Sequence, residues 1–243
     1  MRVAIFGTCL VDAVTPRVGR ATVRLLRRLG VEPELPGPQT CCGQMHINTG
    51  YPGLALPLAR KYVAAFDCYD AIVVPSGSCA GSIRHQHAAV AAEHGDGALA
   101  ARAEAVARKT YELSEFLVDV LGRVDVGAYY PHKVTYHPTC HSLRVLRVGD
   151  RPLQLLRHVE ALDLVELPGS DSCCGFGGTF SVKNAAVSSA MLADKIGAIA
   201  ATGADTCCAG DSSCLLHIGG GLARSNGTQV RPVHLAEILA ATR

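Results

Sequence analysis

Charge is scarce in this chain. Of 243 residues, 18% are Asp, Glu, Lys or Arg, and 23 basic against 21 acidic side chains leave a formal charge of +2. No basic stripe is present that would neutralise a run of phosphates, so nucleic acid is not an expected partner. Long apolar runs are also lacking. The longest stretch without charge, Leu35 to Ala59, is interrupted by prolines, glycines, Gln39, Gln44 and Asn48, so no transmembrane segment is expected. The apolar run from Val3 to Val11 meets Asp12, Pro16 and Arg17 without a small-residue cleavage site, and reads as a first β-strand rather than a secretory address. The expected location is the cytoplasm. Thiols stay reduced there, so eleven cysteines, an odd number, point to metal or redox chemistry rather than to a disulfide framework.

What is abundant is apolar residues, 49% of the chain, and a cysteine pattern that occurs twice. Cys41-Cys42-Gly43 returns as Cys173-Cys174-Gly175. Random placement of the cysteines and glycines would supply only about 0.05 such triplets. Flanking spacings repeat as well: 32 positions from Cys9 to Cys41 and 33 from Cys140 to Cys173, then 37 from Cys42 to Cys79 and 40 from Cys174 to Cys214. The chain therefore reads as two homologous repeats, residues 1–127 and 128–243, related by a pseudo-twofold.

The expected fold class is α/β, each repeat being a small, mostly parallel sheet flanked by helices. Strands are expected at Val3 to Phe6 and Ala71 to Val74, then at Val134 to Tyr136, Leu162 to Leu167 and Asp205 to Ala209. Thr15 and Pro16 should open a helix that Gly30 ends, and Pro52 should open one running to Phe66. Ser181 to Ala201 should be a single helix. Arg84 to Gly122 should be mostly helical, with His87 to Gly97 its exposed loop, and Cys68 should be core. Leu113, Phe116 and Leu117 match Leu235, Ile238 and Leu239 as equivalent closing helices.

In such a sheet, ligands bind beyond the carboxyl ends of the strands. Cys9, Cys41, Cys42 and Cys79 can converge there in the first repeat, and Cys140, Cys173, Cys174 and Cys214 in the second. Adjacent cysteines are an awkward chelate for one ion, whereas two irons of one cluster can accept them; two [4Fe-4S] clusters are the expected cofactors. Structural zinc usually takes paired Cys-x-x-Cys knuckles, which are absent, but zinc and metal-free redox thiols stay open as alternatives.

Phe6-Gly7-Thr8-Cys9-Leu10-Val11-Asp12, Gln39-Thr40-Cys41-Cys42-Gly43-Gln44, Pro75-Ser76-Gly77-Ser78-Cys79-Ala80-Gly81 and Cys173-Cys174-Gly175-Phe176-Gly177-Gly178-Thr179-Phe180-Ser181 resemble the lactate utilization protein A family across almost the whole chain. That family lies within the Cys-Cys-Gly iron-sulfur proteins related to the cysteine-rich chain of heterodisulfide reductase and to the iron-sulfur chain of glycolate oxidase. The resemblance implies a cytoplasmic iron-sulfur subunit working with a ferredoxin-like iron-sulfur protein and a third small subunit to oxidise L-lactate to pyruvate. The wider family ends its motif in Cys-x-x-Cys; here Ser76 and Asp211 stand at the earlier position, which weakens any inference of disulfide chemistry. Cys207 and Cys208 are extra, either a replacement ligand or, on their strand position, buried at the sheet.

No dinucleotide fingerprint or Walker motif is present, and a cluster ordinarily takes one electron while lactate gives up two. The chain alone reads as an electron conduit and not as an enzyme active by itself, with the small 2-hydroxy acid handled by the complex. The candidate acid-base groups are His137 and His141, which flank Cys140; either could take the hydroxyl proton of such an acid, or an imidazole could instead tune the centre through a hydrogen bond. Lys183, Arg144 and Arg147 could attract a carboxylate, and His46 and His217 read as structural. A heterodisulfide or thiol-disulfide reductase, a glycolate-oxidising subunit and a zinc-stabilised assembly module are the competing functions.

Overall fold

Short central strands, buried almost throughout, organise each half of the chain. In the computed structural model, residues 1–37, 39–225 and 229–243 are described. They form two compact units, Met1–Phe116 and Leu117–Arg243.

In the first unit, β1 (Val3–Ile5), β2 (Pro33–Glu34), β3 (Ala71–Val74) and β4 (Thr110–Glu112) form an all-parallel sheet in the order β2-β1-β3-β4. Between them run α1 (Cys9–Ala13), α2 (Pro16–Arg28), α3 (Gln44–Asn48), α4 (Leu56–Phe66), α5 (Gly77–Glu93) and α6 (Gly97–Ala107), and α7 (Leu113–Glu115) follows β4. Every residue of β1 and β3 is buried. Val18, Ala21, Leu25 and Leu26 of α2 face the core at helical spacing. Phe6, Tyr62 and Phe66 close it as an aromatic cluster with centroids 4.6 to 5.7 Å apart.

The second unit repeats this plan. β5 (Lys133–His137), β6 (Asp163–Val165), β7 (Thr206–Ala209) and β8 (Arg231–His234) lie in the order β6-β5-β7-β8, again parallel throughout. Its helices are α8 (Arg151–Arg157), α9 (Phe180–Lys183), α10 (Ala185–Ala201), α11 (Ser212–Leu222) and α12 (Leu235–Ala240). The α/β class with two parallel-sheet repeats is what forms. Chain order reverses between β1 and β3, and between β5 and β7, so each sheet has a switch point where loops part and a ligand can enter.

Several expectations are corrected. His87 to Gly97 is not a loop: α5 runs through the alanine-rich stretch to Glu93, His87 is buried in it, and the break is confined to residues 94–96 before α6 begins at Gly97. Arg84 to Gly122 also contains β4, and a fourth strand, β8, completes the second sheet; three or four residues are too few for periodicity to reveal. Ser181 to Ala201 is two helices, parted at Asn184 (φ −125°, ψ 48°). Pro52 opens a 3-10 turn to Ala55 that precedes α4, leaving Leu54 exposed. Cys68 is exposed in the turn after α4, because Phe66 and Tyr69 take the interior positions around it. Cys207 and Cys208, by contrast, follow their strand position and are fully buried in β7. Among the described residues, no helix is long and apolar enough to cross a membrane.

The closing helices do correspond. Each begins with a capping box, Glu112 with Glu115 before α7 and His234 with Glu237 before α12. Burial raises the Glu112 carboxyl pKa to about 7, although its hydrogen bonds with Ser114 pull the other way. The folded value lies above the ordinary one, so this group's contribution is complete below about pH 4.5 and is lost as pH rises through about 7. In denaturant titrations from pH 4 to pH 8, stability should fall with pH more steeply in the wild type than in Glu112→Gln; parallel curves would refute the assignment.

Candidate metal centres

Each switch point gathers four thiols. In the first unit, Cys9 begins α1, capped by the Thr8 hydroxyl, which accepts the Val11 N–H at 3.5 Å. Cys79 is the third residue of α5, whose N-cap, Ser76, accepts the Cys79 N–H at 3.3 Å. Cys41 and Cys42 enter on the loop after β2. Gln39 ties this loop to the end of β1, accepting the Gly7 N–H at 2.6 Å and donating to the Ile5 carbonyl at 3.0 Å. The side chains form a hydrogen-bonded series, Cys9 to Cys41 to Cys42 to Cys79.

The second unit builds the same series from Cys140, Cys173, Cys174 and Cys214. Cys214 is the third residue of α11, where the N-cap is Asp211, accepting from the Ser213 N–H at 3.1 Å and its hydroxyl at 2.7 Å. Ser76 and Asp211, which stand where the wider family has a cysteine, are thus both helix caps. Cys140 follows Thr139, a β-branched residue at φ 58°, a strained conformation of the kind that collects at functional sites. Both α5 and α11 direct their N-terminal ends, where partial positive charge favours anions, toward the thiols they carry.

Crowding decides the protonation of these groups. The hydrogen bonds from Cys42 and Cys9 favour the Cys41 thiolate, and that from the Gly43 N–H at 3.4 Å adds to them. Cys173 is favoured likewise by Cys140 and Cys174, then by the Gly175 N–H at 3.3 Å. Their partners move the other way: the bond to Cys41, then burial, raises Cys9, and bonds to neighbouring cysteines raise Cys42, Cys140 and Cys174. Four thiols in one space share few negative charges unless a cation joins them; a bound metal group would release the remaining protons. All eleven cysteines are free thiols. In donor chemistry and in number, each quartet fits an iron-sulfur group. Cys42, Cys79, Cys174 and Cys214 are buried, and Cys9, Cys41, Cys140 and Cys173 are half-buried, so each group would be held from within and reached from one side.

A family model described as a cysteine-rich domain matches residues 3–84 and 134–219, one match per repeat. Lactate utilization protein A of Geobacillus kaustophilus is 47% identical over 241 residues, covering 99% of each chain, and that of Bacillus velezensis is 45% identical over 239 residues, covering 98% of this chain and 99% of its own. The chain belongs to the lactate utilization protein A family. Among solved structures, an aspartate racemase homologue from Pyrococcus horikoshii OT3 covers 98% of this chain and 95% of its own at 12% identity and a TM-score of 0.34, too loose a likeness to bear on the site.

Of the other candidates, His141 Nδ1 lies 3.5 Å from Cys140 Sγ, and His137 is buried at the end of β5. Lys183, Arg144 and Arg147 are exposed, Arg144 donating to the Asp171 carbonyl at 3.0 Å. His217 is half-buried, 3.3 Å from the Ser188 hydroxyl and edge-on to Phe176. Two contributors escaped the sequence reading. His87 Nε2 lies 2.7 Å from the Cys42 carbonyl and fixes the loop from beneath; its place two turns after Cys79 was the available signal. Lys195 is 2% exposed and donates to the Gly169 carbonyl at 2.8 Å, beside the loop that carries Cys173 and Cys174.

The glycines after the cysteine pairs are steric necessities. Gly43 and Gly175 have φ of 86° and 88°, and a Cβ on Gly175 would lie 2.6 Å from the Ser188 carbonyl oxygen. Ser188 also donates its hydroxyl to the Gly175 carbonyl at 2.8 Å, so α10 and the loop cannot easily part. Gly175→Ala should cost about 2 kcal/mol or more from left-handed strain and overpacking together. Thermal unfolding checks this, and a midpoint equal to that of the wild type would show that the loop gives way freely.

Proposed function

We propose that this chain is the electron-carrying iron-sulfur subunit of a lactate-utilisation system, holding one cluster, of the [4Fe-4S] type, in each cysteine quartet. The observation that carries the reading is the convergence of Cys9, Cys41, Cys42 and Cys79, and of Cys140, Cys173, Cys174 and Cys214, as two series of contacting free thiols at matching switch points. The kinship with lactate utilization protein A supports the substrate, L-lactate, at the level of the system. Oxidation of lactate to pyruvate releases two electrons and two protons. Bound clusters supply one-electron storage. The protein's part is to hold them: buried thiols grip from below, the glycine N–H groups donate to sulfur, and α5 and α11 present their N-terminal ends to negative charge. Removal of the pair of electrons from the 2-hydroxy acid is assigned to the system as a whole, in which a ferredoxin-like iron-sulfur protein and a third small subunit are the expected partners, in the cytoplasm.

Cys42→Ser and Cys174→Ser, made separately and purified without oxygen, test the ligand sets. Each should deplete about half of the iron and sulfide and remove one electron paramagnetic resonance signal, leaving the other. Reduction by lactate should require the partner proteins. Colourless, iron-free but folded protein would overturn the reading in favour of zinc or bare thiols, and two unchanged signals in either variant would overturn the ligand sets.

A further inference from the structure

The two quartets occupy matched backbones but meet different side chains. Phe6 stands three residues before Cys9, and His137 three before Cys140. Each lies at the end of the corresponding strand: the Phe6 N–H donates to the Val73 carbonyl at 3.0 Å, and His137 is in register with Ala209. Phe6 is satisfied by hydrocarbon, packed edge-on against Tyr62 and Phe66 with centroids 5.1 and 5.7 Å away. His137 is not. It is 1% exposed, and neither ring nitrogen has a hydrogen-bond partner among the described residues. Buried polar groups are rarely left so, because each loses its water without compensation. A ring nitrogen of His137 and the sulfurs of Cys174 and Cys214 lie within 4.8 Å of one another, close enough to share one metal ion, and all three residues are buried.

We propose that His137 is a metal ligand of the second centre, bound through a ring nitrogen beside Cys174 and Cys214. The second centre is then a mixed imidazole-thiolate site, and the first, with Phe6 in the equivalent place, is thiolate only. This rests on the reading of the quartets as iron-sulfur sites and deepens it, because it makes the two centres unlike. Neutral imidazole is the ligating form, and burial, with the charge of Lys195 adding to it, holds the His137 pKa down at about 4. Imidazole leaves less negative charge on iron than thiolate does, which raises a centre's potential.

Full-length protein labelled with 15N-histidine and purified without oxygen gives the test. Iron and sulfide are counted, and the reduced protein is studied by pulsed electron paramagnetic resonance and by redox titration. The wild type should show the strong nitrogen coupling of a directly bound imidazole on one of two signals. His141→Gln should keep it. His137→Phe and His137→Cys should lose it, and His137→Cys, which exchanges the neutral donor for a thiolate, should keep its iron while the potential of that one signal falls. Circular dichroism establishes that each variant is folded, and the wild-type spectrum decides the matter even if His137→Phe does not fold. Two iron centres without histidine coupling, only the weak coupling of a hydrogen-bonded nitrogen, or coupling that persists without His137 would overturn the ligand and leave the electron-carrying reading standing. Absence of iron would overturn that reading, and this inference with it.

Discussion

Four thiols pressed together at the carboxyl edge of a parallel sheet repel one another's charge, and most of the local architecture answers that constraint. The Gly43 and Gly175 N–H groups point at the first sulfur of each pair, and Cys79 and Cys214 ride in the first turns of α5 and α11, where orphan backbone donors face outward. Two thiols of each quartet are sunk in the core, where unpaired charge is expensive. A cationic inorganic group resolves the conflict at one stroke, which is why the quartets make better physical sense as metal sites than as free thiols.

Duplication supplied that scaffold twice, and the copies have since been furnished differently. Identical strand order, equivalent capping boxes and glycines in the same left-handed conformation give the two quartets the same backbone frame. The surroundings differ. Beside Cys42 and Cys79 of the first quartet stands Tyr62, with Phe6 packed on its ring; near the second are His137 and a buried Lys195. An aromatic wall offers bulk without charge, whereas imidazole and ammonium offer donors and, for lysine, charge at low dielectric, where both count for more. The same loops can thus hold similar groups in unlike electrostatic settings.

Much of this was legible in the residues, for identifiable reasons. The repeated Cys-Cys-Gly triplets and their spacings revealed the duplication, and the apolar runs at Val3 to Phe6 and Ala71 to Val74 placed the cysteines at a sheet edge. What was lost was short or context-bound. β4 and β8 carry too few residues to display a period. His87 looked like a loop residue because polar neighbours masked the alanines that continue α5, and Cys68 looked interior because the apolar stripe of α4 runs right up to it. Setting the repeats against each other, cysteine on cysteine, would have paired Phe6 with His137; that comparison needed no coordinates.

The all-parallel topology has a consequence for how the molecule comes into being. Both central pairings, Val3 with Ala71 and Val134 with Thr206, join residues about seventy positions apart. Contacts so distant along the chain must pay for loop closure before they are rewarded, which slows folding and prolongs partly formed states. Throughout that interval the eleven thiols are uncovered. Biogenesis therefore favours a reducing milieu and prompt insertion of whatever the quartets carry, since a wrongly paired sulfur made during this window would tie one sheet shut before its neighbour had closed.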